Sequence, residues 1–211
     1  MSHDLEQKLL VYALAAAGAA ALAPHARAEI VFTKTNTTLG YGTLNIDLNR
    51  DGIADFILHN YFIGGSSSFS IQKLAVQGGA DASAKVIGQT QDGRLNAWDA
   101  PLSWSIGPNS PKGFVNVAGA PALMESGPCV AQCYPHGPWG RATNRFLGFQ
   151  FSINGEVHYG WARLSVSLSN SGYEITAKLT GCAYETQPNT AIRSRRPWAN
   201  CRPEVQTVKA R

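Results

Sequence analysis

Charge is scarce in this 211-residue chain, where only 15% of the residues are Asp, Glu, Lys or Arg. No amphipathic helical period of useful length runs through the part that follows residue 28, which excludes a helical bundle. No internal repeat is present, which excludes a propeller or a solenoid array. The signatures of nucleophilic and metal-hydrolytic catalysis are missing as well. There is no Gly-x-Ser-x-Gly and no His-Glu-x-x-His, and beyond residue 28 the only histidines are His59, His136 and His158. No basic stripe is interleaved with aromatics, so nucleic acid is not an expected partner. After Leu9–Ala23 no second long apolar run occurs, so stable membrane insertion is not expected once the N-terminus is removed.

The ends of the chain carry their own signals. Leu9 to Ala23 is uncharged and rich in alanine and leucine, and Ala26-Arg27-Ala28 has the small-x-small form of a signal-peptidase site. Residues 1–28 therefore read as a secretory signal peptide, which places the mature protein outside the cytoplasm, whether periplasmic, extracellular or at the cell surface. Residues 29–190 fit one domain. Residues 191–211 form a basic tail holding Arg193, Arg195, Arg196, Arg202, Lys209 and Arg211, within a net charge of +4. With 21 glycines and low charge, the composition is that of an all-β secreted protein rather than a disordered one.

Cysteine is limited to Cys129, Cys133, Cys182 and Cys201. An even number in a secreted chain argues for disulfides, and four cysteines allow three pairings. The preferred expectation is a small Cys129–Cys133 ring and a Cys182–Cys201 staple that ties the basic tail to the body. His136 follows Cys133 by three residues, but neither zinc nor haem spacing is complete there.

The segment Asp47-Leu48-Asn49-Arg50-Asp51-Gly52-Ile53-Ala54-Asp55 places side-chain oxygens at positions 1, 3, 5 and 9, with glycine at position 6. Calcium takes six to eight oxygen ligands at about 2.3–2.6 Å, and Asp47, Asn49, Asp51, the carbonyl of Ile53, and Asp55 form a candidate set. Leu58 stands where an EF-hand has its bidentate glutamate, and the flanks read as strands. A weak site of the extracellular class, with a dissociation constant on the order of 10⁻⁴–10⁻³ M, is the expectation. The competing reading is a polar hairpin turn built on Asp51-Gly52.

Alternation continues through the chain. Phe69–Val76 and Lys85–Gly88 read as short strands, whereas Pro101, Pro108, Pro111, Pro121, Pro128, Pro135 and Pro138 break the pattern into a loop-rich insertion over about 101–140. Asn154-Gly155 is a type I′ turn signal, so Ile153 pairs with Glu156. Counting outward puts Leu147, Phe149, Phe151 and Ile153 with Gly160, Ala162, Leu164 and Val166 on a core face. Gln150, Tyr159, Trp161 and Arg163 share the other face, with Gly148 opposite Trp161. Those four residues form a candidate platform for stacking sugar rings. Alternatively, another segment covers them. The fold expected from this pattern is an antiparallel, jelly-roll-like β-sandwich.

Gly148-Phe149-Gln150-Phe151, Tyr159-Gly160-Trp161-Ala162-Arg163-Leu164 and Ala183-Tyr184-Glu185 together resemble the shared core of a group of uncharacterised secreted bacterial proteins, some of them exosortase-sorted (PEP-CTERM type). The resemblance covers roughly 145–186 and implies a secreted β-sandwich without a known reaction. The chain departs from the sorted members in ending with a basic tail instead of a Pro-Glu-Pro motif and a membrane segment. The nine residues from Asp47 also resemble the single-loop calcium motif of integrin-type propeller repeats.

The function these features imply is a calcium-stabilised extracellular or cell-surface binding module, with a glycan as the expected ligand. The alternatives are a polysaccharide-active hydrolase and a purely structural envelope or matrix protein. A hydrolase needs two carboxylates about 5–10 Å apart, and no spacing among Asp81, Asp92, Asp99, Glu125, Glu156, Glu174, Glu185 and Glu204 singles out a pair. Glu185, in Ala183-Tyr184-Glu185, is the acid with the most specific setting.

Overall fold

The computed structural model describes residues 28–66, 69–127, 137–169 and 174–195. The proposed signal peptide and most of the basic tail lie outside these residues. The strands, in chain order, are β1 (Ile30–Leu39), β2 (Gly42–Ile46), β3 (Phe56–Ser66), β4 (Phe69–Gly78), β5 (Lys85–Gln91), β6 (Arg94–Ala97), β7 (Asp99–Ala100), β8 (Ser105–Ile106), β9 (Phe114–Asn116), β10 (Ala122–Ser126), β11 (Arg145–Ile153), β12 (Glu156–Leu168), β13 (Ile175–Glu185) and β14 (Ile192–Arg193).

Ten of these strands form one continuous wall in the order β1-β13-β12-β11-β5-β6-β10-β4-β3-β2. The wall covers 300° about its axis and makes a nearly closed barrel. This corrects the expected sandwich. The all-β, largely antiparallel character stands, but there are not two stacked sheets. The physical reason lies in β5, which changes partner along one edge while β9 pairs with the other. Its first residues pair with β11 (Val86 with Phe149), and its later ones pair with β6 (Gly88 with Ala97). A strand that changes neighbours along its length joins two half-sheets into one wall. In–out alternation is the same in a barrel and a sandwich, so the sequence pattern does not distinguish them.

The hairpin β11–β12 turns at Asn154 (φ 53°) and Gly155 (φ 83°), both left-handed as a type I′ turn requires. Ile153 pairs with Glu156, and Gly148 faces Trp161. The inward residues Leu147, Phe149, Phe151, Ala162, Leu164 and Val166 join Phe56, Leu58, Leu74, Val86 and Met124 in the barrel core. Phe56 stacks on Phe149 with ring centroids 4.1 Å apart. The expected loop-rich insertion contributes to the wall itself, since β10 lies between β6 and β4.

A second apolar layer covers the outside of β11 and β12. Ile87, Ala100, Ile106, Phe146, Tyr159, Trp161, Ala183 and Ile192 form it, with Trp98, Trp104 and Phe114 packed against them. The strands β8 and β14 pair through Ile106 and Ile192 to hold this cover in place. Ile192 and Arg193, assigned to the basic tail on composition, are thus part of the folded body.

The expected disulfides are also corrected. Among the described residues no disulfide is present. Cys182 is a free, buried thiol, paired in register with Thr33 on one side and Ala162 on the other. Burial raises its pKa to about 11, which leaves an inert thiol inside the barrel. Cys129, Cys133 and Cys201 lie outside the described residues. Among the described residues no helix is long and apolar enough to cross a membrane.

Candidate functional site

The barrel has two chemically different ends. β2 runs toward the Asp47–Asp55 loop, and β11–β12 turns beside it at Asn154-Gly155. This end also holds the turn around Asp81, because Gly79 N–H donates to the Asp55 carbonyl at 2.8 Å. A Cβ at Gly79 would collide with the Ala54 carbonyl, so glycine is needed for the two loops to touch. The opposite end carries the β1–β2 corner and the projecting β3–β4 hairpin.

Within the Asp47–Asp55 loop the polar side chains serve the loop's own backbone. Asp47 Oδ1 accepts from Arg50 N (2.7 Å), and its Oδ2 accepts from Gly52 N (3.0 Å). Asp51 Oδ1 accepts from Ile53 N (2.8 Å), and Asn49 Nδ2 donates to Asp51 Oδ2 (2.9 Å). Asp55 Oδ2 accepts from Leu48 N at 2.7 Å. These bonds satisfy a backbone in which Arg50 (φ 61°) and Gly52 (φ 88°) are left-handed.

The calcium expectation on Asp47, Asn49, Asp51, Ile53 and Asp55 is therefore overturned. Among the described residues no group of three His, Cys, Asp or Glu side chains is arranged to hold a metal ion. Asx-type capping and metal ligation use the same residue types at the same spacing, and here the oxygens turn to the loop's N–H groups. The loop instead closes the barrel seam. Leu48 is 1% exposed and enters the core, where it lies against the site at which a Cβ on Gly160 would stand. Arg50 Nε reaches across to Thr33 Oγ1 on β1 at 3.1 Å.

Between this loop, the Asp81 turn and the β11–β12 turn lies a cleft of ≈ 320 Å³. Its hydrogen-bonding lining consists of Asn49, Asp51, Asp55, Asp81, Ser152 and Asn154, with Ile53 and Ile153 as apolar surfaces. Ile53 is 57% exposed. Asp81 is fixed as a brace, accepting from Ser83 N (2.8 Å) and from Ser152 N (2.7 Å). The Asp55 carboxyl is pushed up to about 6, first by burial and then by the neighbouring Asp47 and Asp51 charges, against the Leu48 N–H bond. The cleft is thus acidic, rich in acceptors and lined by no cationic side chain.

The proposed sugar-stacking platform is not on the surface. Trp161 and Tyr159 are 3% and 5% exposed. Trp161 packs edge-on to Phe146 at 5.1 Å, and its Nε1–H donates to the Arg193 carbonyl at 3.2 Å. Arg163 Nε donates to Thr180 Oγ1 at 2.7 Å. Gln150 sits in register between Tyr159 and Lys85. A Cβ at Gly148 would press on Ile87 and Ile106, which occupy the space above this face. Glu185 is buried and receives Gln187 N at 3.1 Å, while its carbonyl meets His158 Nδ1 at 2.9 Å. Both groups act as local braces.

One acid with no evident sequence signal stands out. Glu125 is 1% exposed, and its Oε2 has no hydrogen-bond partner among the described residues. Burial raises its pKa to about 7, opposed by the backbone N–H groups of Ser126, Gly140 and Trp139. Trp139, whose Nε1–H donates to the Ala97 carbonyl at 3.0 Å, fills the core next to it. Comparison with known protein families, curated proteins and solved structures returned no match.

Proposed function

We propose that the chain is a secreted, non-catalytic binding module that takes a hydroxyl-rich, glycan-type ligand in the cleft between the Asp47–Asp55 loop and the Asn154-Gly155 turn. The observation that carries this reading is the cleft's lining. Carboxylates, amides and a serine hydroxyl surround it beside the exposed aliphatic surface of Ile53. Sugar hydroxyls both donate and accept, so acidic and amide side chains suit them, and an aliphatic wall suits the C–H face of the ring. The signal-peptide pattern before Glu29 and the resemblance to secreted bacterial β-proteins support an extracellular setting. The barrel braces all three loops, so the cleft is preformed, which limits the ordering cost of binding.

The test is retention on a panel of immobilised glycans. Asn154→Gly removes the amide while keeping a residue that tolerates the left-handed turn. Loss of one ligand hydrogen bond, about 1 kcal/mol, lowers affinity about fivefold. Combining it with Ile53→Ala lowers affinity further. Retention on no glycan, or retention untouched by the pair, rejects the proposal. The hydrolase alternative draws on one observation, the raised pKa of Asp55, which suits a general acid. It predicts release of reducing ends that Asp55→Asn abolishes.

A further inference from the structure

The end of the barrel opposite the cleft carries a surface that the binding proposal does not use. The pairing of β2 stops at Gly42 with Asn60, whereas β3 continues to Ser66. On the other side, β10 pairs with β4 only as far as Ser126 with Lys73, and Gly127 N–H donates to the Gln72 carbonyl. Among the described residues the β3–β4 hairpin therefore outruns both neighbours from about Phe62 onward, an overhang of about four residues or roughly 13 Å. Phe62 (48% exposed) and Ile63 (42%) lie on it, and Tyr41 (73%) stands on the adjacent β1–β2 corner. The Tyr41 and Phe62 rings stack with centroids 5.8 Å apart and an interplanar angle of 23°.

Three of the six exposed large apolar side chains among the described residues thus gather where the molecule projects, whereas Ile30, Ile53 and Leu102 lie apart from them. The patch is small. A large aromatic side chain contributes about 150–250 Å² when fully buried, so three half-exposed side chains fall short of the roughly 800 Å² per partner of a stable protein interface. A few apolar side chains on a projecting tip, assisted by cations, suffice for reversible attachment to a lipid surface.

Charge at the two ends has opposite sign. Lys73 pairs with Tyr61 and Lys178 with Thr38, both beside the patch, and Glu174 is the exposed acid near them. The far end holds Asp47, Asp51, Asp55 and Asp81 in or beside the cleft, with Glu156 on the hairpin that borders it, and these five acids outnumber the cations Arg50 of the same loop and Lys85 opposite Gln150. The molecule is polarised along its axis, and its cationic, apolar end complements an anionic headgroup layer.

We propose that Tyr41, Phe62 and Ile63, with Lys73 and Lys178, form a peripheral docking surface for anionic lipid bilayers. Docking in this way holds the barrel upright and turns the cleft outward. The phenol of Tyr41 sits at headgroup depth, where an amphipathic ring is best accommodated, and Phe62 and Ile63 reach the acyl boundary.

The test is flotation of the full chain with vesicles of equimolar phosphatidylcholine and phosphatidylglycerol, against phosphatidylcholine alone, at low and high salt. The wild type is expected to float with the anionic vesicles and to be partly released by salt. The double substitution Phe62→Ser with Ile63→Ser is expected to reduce binding about tenfold or more. Lys73→Gln with Lys178→Gln is expected to reduce it at least about fivefold at low salt only. Both pairs keep residues 1–28 and 191–211, so flotation that neither pair weakens belongs to the ends of the chain and overturns the proposal. Absence of flotation overturns it too, as does self-association or glycan retention that depends on Phe62 in a protein that ignores vesicles. Phe62→Trp gives a second readout. Quenching of its fluorescence by lipids brominated near the headgroup supports insertion, and quenching no greater than in the unsubstituted protein overturns it.

Discussion

Leu48 shows how one side chain changes the meaning of a motif. In the sequence it is an unremarked position between two oxygen-bearing residues, yet it is the member of the Asp47–Asp55 loop that fills the core. Asp55 holds its N–H, and Asp47, Asn49 and Asp51 shape the loop so that it can enter. Leu48→Ala leaves these backbone bonds in place but opens a cavity at the barrel seam. It is expected to cost about 2–4 kcal/mol in urea unfolding, whereas Ile53→Ala changes stability by less than about 0.5 kcal/mol. Glu125 is the other position where environment overrides residue type. Its pKa rises from the ordinary 4.5 to about 7 in the folded protein, so the folded state binds a proton more tightly than the unfolded chain. The resulting stability is full below about pH 4.5 and is lost as pH rises toward 7. Thermal melts are therefore expected to show the wild-type midpoint falling across that window, with about 1–3 kcal/mol at stake. Glu125→Gln, which cannot ionise, is expected to remove the fall between about pH 6 and 7 and to leave the share that Asp55 contributes below about pH 6.

Individual elements were legible where a local signal sets their register. The Asn154-Gly155 turn determines the β11–β12 pairing, and the expected core face matches the buried residues from Leu147 to Phe151 and from Ala162 to Val166. β13 likewise points Ile175, Ala177 and Leu179 inward, with Lys178 exposed. What local pattern does not carry is which elements cover one another. The Tyr159–Trp161 face has the composition of a ligand platform, but strands as short as β8 and β14, paired across 86 or more positions, come together to bury it. The polar residues Asn60 and Gln72 are similarly opaque in sequence. Asn60 Nδ2 donates to the Ile175 carbonyl at 2.8 Å, and Gln72 Oε1 accepts from Ile175 N at 2.7 Å. They tie the β3–β4 hairpin to the start of β13 through the barrel interior. Pairs that distant leave no period for a sequence to display. The cleft lining escaped for the same reason, since Asp81 and Ser152 meet Asp51 and Asp55 only after closure.

At the scale of the molecule, closure links the beginning of the domain to its end. β1 finds its hydrogen-bonding partner in β13, with Ile30 opposite Glu185, while its neighbour in sequence, β2, stands across the seam. The first strand to leave the ribosome therefore has no ladder to join until nearly the whole domain has followed. Pairing over such separations makes folding slow, because the entropy of closing the chain must be met before the contacts form. A chain ending before Ile175 loses the strand to which both β1 and β12 pair, and its circular dichroism should lack a cooperative melt. Vectorial synthesis thus yields an intermediate with open edges, and the wall stays unclosed for as long as its last strands are unmade.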